Sequence, residues 1–154
     1  MQNLSANTYV TLRSNASGNL YSNTCYNFTN QLCTTLNFKD KTRVALSEIH
    51  LPLNFRLEGK QGNINQILVQ TDLVDDSIFG DSRLNILKLV TIDKNFYTYD
   101  TQVLLFKNLF FYPLSRNSFN NVTINITDTF GNVLNVNSAS LSSVVETFVV
   151  LHFK

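Results

Sequence analysis

Few side chains in this 154-residue chain could do chemistry, and their spacing limits what each can do. The two histidines, His50 and His152, both fall in strand-like apolar surroundings. With Glu48 they make a two-histidine, one-carboxylate set, a ligand class that suits a transition metal if all three converge. A sheet-facing histidine bonded to backbone or water is the more ordinary reading. The acidic stretch Asp72, Asp75, Asp76 and Asp81 could present oxygens to Ca²⁺, but its spacing is not that of an EF-hand. A solvated loop is expected there. Tyr97, Tyr99, Phe110, Phe111 and Tyr112 could form a stacking platform for a sugar, although such residues more often serve core or subunit packing. On one extended strand Cys25 and Cys33 would stand roughly 26 Å apart, beyond the reach of a disulfide, unless a turn intervenes. Two reduced thiols are expected. There is no serine in a nucleophile-elbow context and no glycine-rich phosphate loop. No catalytic, cofactor-binding or metal-binding residue is assigned.

The elements that must position these residues read as strands. No segment sustains apolar residues at helical spacing over several turns. Runs rich in Val, Ile, Thr, Tyr and Phe recur instead, broken by Asn, Asp, Gly and Ser clusters. The clearest run is 121–128. Val122, Ile124 and Ile126 alternate there with Asn121, Thr123, Asn125 and Thr127, so one face enters a core. Further strands are expected at 8–13, 24–32, 43–51, 66–73, 84–92, 102–112 and 146–153. In 43–51 the apolar face switches near Ser47, from Val44 and Leu46 to Ile49 and Leu51. A β-bulge or bend would reconcile the two halves. About eight strands and no dominant helix predict an all-β domain, a single jelly-roll β-sandwich of two antiparallel sheets over 8–154. An immunoglobulin-like sandwich is the alternative, but it usually needs fewer residues and often carries a core Trp, which this chain lacks. Residues 1–7 are read as a flexible arm.

Hydrophobic residues make up 44% of the chain and charged residues only 15%, with a formal net charge of +1. An average domain carries about 25% charged residues. A near-neutral chain without a basic stripe is not expected to bind nucleic acid, and its apolar content argues against disorder. Neither a secretory signal in 1–7 nor an apolar run long enough for membrane insertion is expected.

Several segments carry a family resemblance. Tyr9-Val10-Thr11-Leu12 and Ser14-Asn15-Ala16-Ser17 lead to Asn23-Thr24 and Phe28-Thr29. Val44-Ala45-Leu46-Ser47-Glu48-Ile49-His50-Leu51-Pro52 follows. Later come Tyr112-Pro113-Leu114, Phe119, Thr123-Ile124-Asn125-Ile126-Thr127-Asp128, Gly131 and the closing Val149-Val150-Leu151-His152-Phe153. In this order and spacing the chain resembles the minor capsid (penton) proteins of the polinton, virophage and polinton-like virus group. The likeness covers both ends, and the middle, 58–105, matches poorly. Thr42-Arg43 stands where family members often carry an aromatic–acidic pair.

The resemblance implies a non-enzymatic virion protein, made in the host cytoplasm and placed at the capsid vertex. Five copies would form a homopentamer that plugs the opening left by major capsid proteins of the double jelly-roll type. Outward Asn and Thr side chains could bond across such contacts without burying ions. Expected subunit contacts are Glu48, His50, Phe55 and Arg56 in the segment 48–56, and Asn121, Thr123, Asn125 and Thr127. Gln2, Asn3 and Leu4 are expected to reach a neighbouring capsomer. The alternative reading, from the aromatic content and the fold, is a β-sandwich lectin or carbohydrate-binding module.

Overall fold

The computed structural model describes residues 2–3, 7–52, 55–57, 65–92, 101–136 and 146–154. Among them there are strands and turns but no helix. The strands are β1 (Gln2–Asn3), β2 (Thr8–Arg13), β3 (Asn27–Asn37), β4 (Arg43–Pro52), β5 (Phe55–Leu57), β6 (Gln66–Thr71), β7 (Ser77–Phe79) and β8 (Ser82–Leu84). They continue as β9 (Ile86–Thr91), β10 (Thr101–Leu105), β11 (Tyr112–Pro113), β12 (Ser118–Asp128), β13 (Leu134–Val136) and β14 (Phe148–Phe153).

Two main sheets carry the fold. The first runs β1-β3-β12-β6-β9, and the second runs β10-β4-β14-β2, with β11 also on β4. All pairings in them are antiparallel except β1 with β3. Period-two patterning builds the core between them. Phe28, Val122, Ile124, Ile126, Ile67, Val69 and Val90 come from the first sheet. Leu12, Val44, Leu46, Ile49, Leu51, Val149, Leu151 and Phe153 come from the second. Each such side chain contributes about 1.5–3 kcal/mol on burial. Tyr26 is buried with them, and its hydroxyl donates to the Pro52 carbonyl at 2.9 Å.

The face switch in β4 is a β-bulge. Val150 lies opposite Glu48, but Leu151 lies opposite Leu46, so Ser47 is the extra residue. It turns Val44 and Leu46, then Ile49 and Leu51, toward one core. The Ser47 hydroxyl donates to the Val150 carbonyl at 3.0 Å.

Two strand boundaries differ from the pattern reading. The 24–32 strand starts at Asn27, because Thr24 and Asn27 close a turn: Thr24 N–H donates to the Asn27 carbonyl at 2.8 Å, and Asn27 N–H to Thr24 Oγ1 at 3.0 Å. Cys25 therefore precedes the strand that holds Cys33, and the two are not joined in a disulfide. The 102–112 run is two strands, not one. β10 pairs with Glu48–Pro52, β11 pairs with Arg43 and Val44, and the break falls beside the bulge.

Candidate subunit-contact surfaces

The outer face of the second sheet follows from its registers. One row across it holds Val103, His50, Phe148 and Arg13, and the next holds Leu105, Glu48, Val150 and Thr11. A third holds Ala45, His152 and Tyr9. Most charges on this face are paired within the chain. Arg13 makes a two-pronged contact with Glu146, at 2.9 and 3.1 Å, and lies over the Phe148 ring. Glu48 is hydrogen-bonded to His50 two residues away, because both point outward on one strand. The apolar members are left open: Tyr9 is 60% exposed, Val103 51% and Leu105 68%.

His152 is buried beneath Tyr9, whose ring stacks on it at 4.3 Å, and Phe111 meets it edge-on at 5.1 Å. Its Nε2 bonds Asn7 Oδ1 at 3.1 Å, so Nε2 carries the proton. Its Nδ1 is buried with no partner among the described residues. Burial, and then the Lys154 charge, lower its pKa. The Glu48, His50 and His152 set does not converge. His50 lies opposite Phe148, four residues and about 13 Å along β14 from His152. No metal-holding group of His, Cys, Asp or Glu occurs among the described residues.

The outer face of the first sheet carries the other predicted contacts, and most are spent inside the chain. Thr123 and Thr29 share a hydroxyl–hydroxyl bond at 2.9 Å. Asn121 Oδ1 accepts from Arg116 at 3.3 Å. Thr127 is 4% exposed and accepts from Gln70 Nε2 at 3.2 Å, so it is not open to a neighbour. Asn125 is half-buried, and no side-chain partner for it occurs among the described residues.

The backbones of Phe55 and Arg56 pair with Val136 and Asn135. Their side chains, and Leu4, Tyr97 and Tyr99, lie outside the described residues. Gln2 and Asn3 pair with Leu36 and Asn37 of their own chain. The acidic stretch does not gather round an ion. Asp72 accepts from Thr123 N–H at 2.9 Å and from Arg116 at 2.6 Å, and Asp81 accepts from Ser82. Phe110 tilts against Tyr112 while Phe111 packs on His152, so the three do not share one stacking plane.

The sheet edges, which pattern reading did not address, differ sharply. On β3, Asn23 acts as a neighbouring strand would: Oδ1 accepts from Thr29 N–H at 2.9 Å and Nδ2 donates to the Thr29 carbonyl at 3.0 Å. Ser17 Oγ accepts from Gln31 N–H at 2.9 Å, and β1 covers Leu36 and Asn37. Across the corner between the sheets, Asn30 does the same for Arg13, with both bonds at 2.8 Å. The rest of the β2 edge and the β10 edge have no such caps among the described residues.

No protein-family model matches the chain, and no curated protein matches it.

Proposed function

We propose that the chain is a structural virion protein, a vertex plug in which five jelly rolls stand side by side. Strand order supports the jelly roll. With the eight principal strands β2, β3, β4, β6, β9, β10, β12 and β14 counted one to eight, the sheets run 1-8-3-6 and 2-7-4-5. An antiparallel ribbon pairing 1 with 8, 2 with 7, 3 with 6 and 4 with 5 gives that order when rolled into two sheets. The resemblance to penton proteins supplies the vertex, the five-fold ring and the double jelly-roll neighbours.

The observation that carries an assembling role is the outer face of the second sheet. Its charges Arg13, Glu146, Glu48 and His50 are paired, while Tyr9, Val103 and Leu105 stay exposed. Contact surfaces depleted in free charge and enriched in aromatic and aliphatic groups favour a neighbour over water. A ring requires two different patches per copy, joined head to tail. The two edges of the second sheet, β10 and β2, differ and meet that requirement. Electron microscopy and mass photometry of the purified chain test the reading. Five-membered rings are expected. A chain that stays monomeric at high concentration and is missing from virion vertices refutes it.

A further inference from the structure

We infer that copies of this chain join edge to edge, with β10 of one copy pairing antiparallel with β2 of the next, so that the second sheet continues from copy to copy. This rests on the assembly reading and names the contact that would build it.

Backbone direction and register carry the inference. Phe106 N–H donates to the Ser47 carbonyl, so Phe106, Leu104 and Gln102 turn their backbone groups toward β4. Alternation then aims the N–H and C=O of Thr101, Val103 and Leu105 at the free edge. On β2, Ser14 N–H donates to the Thr147 carbonyl, which by the same alternation aims Arg13, Thr11 and Tyr9 outward. Asn30 occupies Arg13. At the other end Asn7, in a left-handed turn at φ 64° and bonded to His152, ends the edge. The β2 edge therefore offers two open residues, Thr11 and Tyr9, and the β10 edge offers Thr101, Val103 and Leu105.

Strand polarity fits. Successive strands of the second sheet alternate in direction, so β10 runs opposite to β2, and a head-to-tail join keeps the alternation. A register that fills both open residues of β2 sets Val103 against Thr11 and Leu105 against Tyr9, giving four backbone hydrogen bonds, with Thr101 falling beside Arg13. It also lays exposed Leu105 beside exposed Tyr9, an aliphatic–aromatic cross-strand pair. Pairing β10 with a second β10 about a two-fold axis would instead set Leu105 against Thr101. Head-to-tail growth needs both edges of one sheet open. The first sheet fails this test, since Asn23, Ser17 and β1 cap its β3 edge. In the second sheet β10 carries no charged residue, and the one charge of β2, Arg13, is tied to Glu146. Uncharged open edges are what a sheet-extending partner requires.

Cysteine pairing tests the join. In a Cys33→Ser background, Val103→Cys chains mixed with Thr11→Cys chains should oxidise to a disulfide-linked species that neither forms alone, because the paired Cα atoms would lie about 5.5 Å apart. Val103→Pro removes an N–H that makes no bond among the described residues, so it should keep the far-UV spectrum. It should also raise the concentration needed for assembly about tenfold or more. Leu105→Lys should weaken assembly in the same direction. Cross-linking by Val103→Cys alone would overturn the inference in favour of a two-fold join. If wild type, Val103→Pro and Leu105→Lys all assemble alike, edge pairing is refuted while the assembly reading stands. A wild-type chain that never assembles refutes both.

Discussion

Replacing Asn30 by Ala removes an amide that holds both backbone groups of Arg13 across the corner between the two sheets. Oδ1 accepts from Arg13 N–H and Nδ2 donates to the Arg13 carbonyl, both at 2.8 Å, and Asn30 is 5% exposed. Each lost bond of this kind costs about 0.5–1.5 kcal/mol. The two Arg13 groups lie at an edge and can recover part of this by binding water, which keeps the total near 2 kcal/mol. For a domain of this size that lowers Tm by about 4–8 °C. Urea unfolding of Asn30→Ala and wild type gives the difference directly, with the slope against denaturant unchanged. Asn30→Asp is the informative companion. It keeps an acceptor for Arg13 N–H but turns the donor facing the Arg13 carbonyl into an oxygen, so it should be no more stable than the alanine variant at neutral pH. A change below about 0.5 kcal/mol in both variants would refute the view that this amide closes the edge.

Three further outcomes follow from the same geometry. Deleting Ser47 removes the bulge and turns Ile49 and Leu51 out of the core, so the chain should lose its cooperative melt, whereas Ser47→Ala should cost about 1 kcal/mol for the bond to Val150. His152 has a folded pKa below its unfolded value, so folding favours the neutral ring. Its contribution is complete above the unfolded pKa near 6.5 and is lost as pH falls toward the lower folded value. Tm between pH 7 and pH 5 should therefore fall less steeply in His152→Gln than in wild type, and equal slopes would contradict this. Thiol titration should separate into two phases, because Cys33 is exposed while Cys25 is half-buried with its thiol pKa pushed up by burial. A Cys33→Ser chain should keep only the slow phase.

The sheet pattern was readable wherever one face is buried and the other is polar. Residues 121–128 alternate cleanly and form the end of β12, and the face switch at Ser47 pointed to the bulge that aligns β4. The break after Leu105 is missed when the two apolar stretches 103–106 and 109–112 are joined across Lys107-Asn108 into one strand. The same run concealed that Val103 and Leu105 face water: a continuous apolar string looks buried on both sides. Glu48 and His50 stand outward as their alternation implies, but Thr127 does not, since Gln70 closes over it. Edge capping left no local trace. Asn23 reaches Thr29 and Asn30 reaches Arg13, 17 residues away, and an asparagine in sequence signals only a turn or a break.

The amide caps also bear on the scarcity of charge. Proteins commonly guard sheet edges with lysine, which repels an incoming strand and does so less well as ionic strength rises. Asn23 and Asn30 guard theirs by occupying the donors and acceptors themselves. That protection carries no charge and needs no counterion, and it does not vary with salt or with ordinary changes of acidity. In the proposed assembly, copies would keep some edges closed and others open without any ion having to be stripped of water.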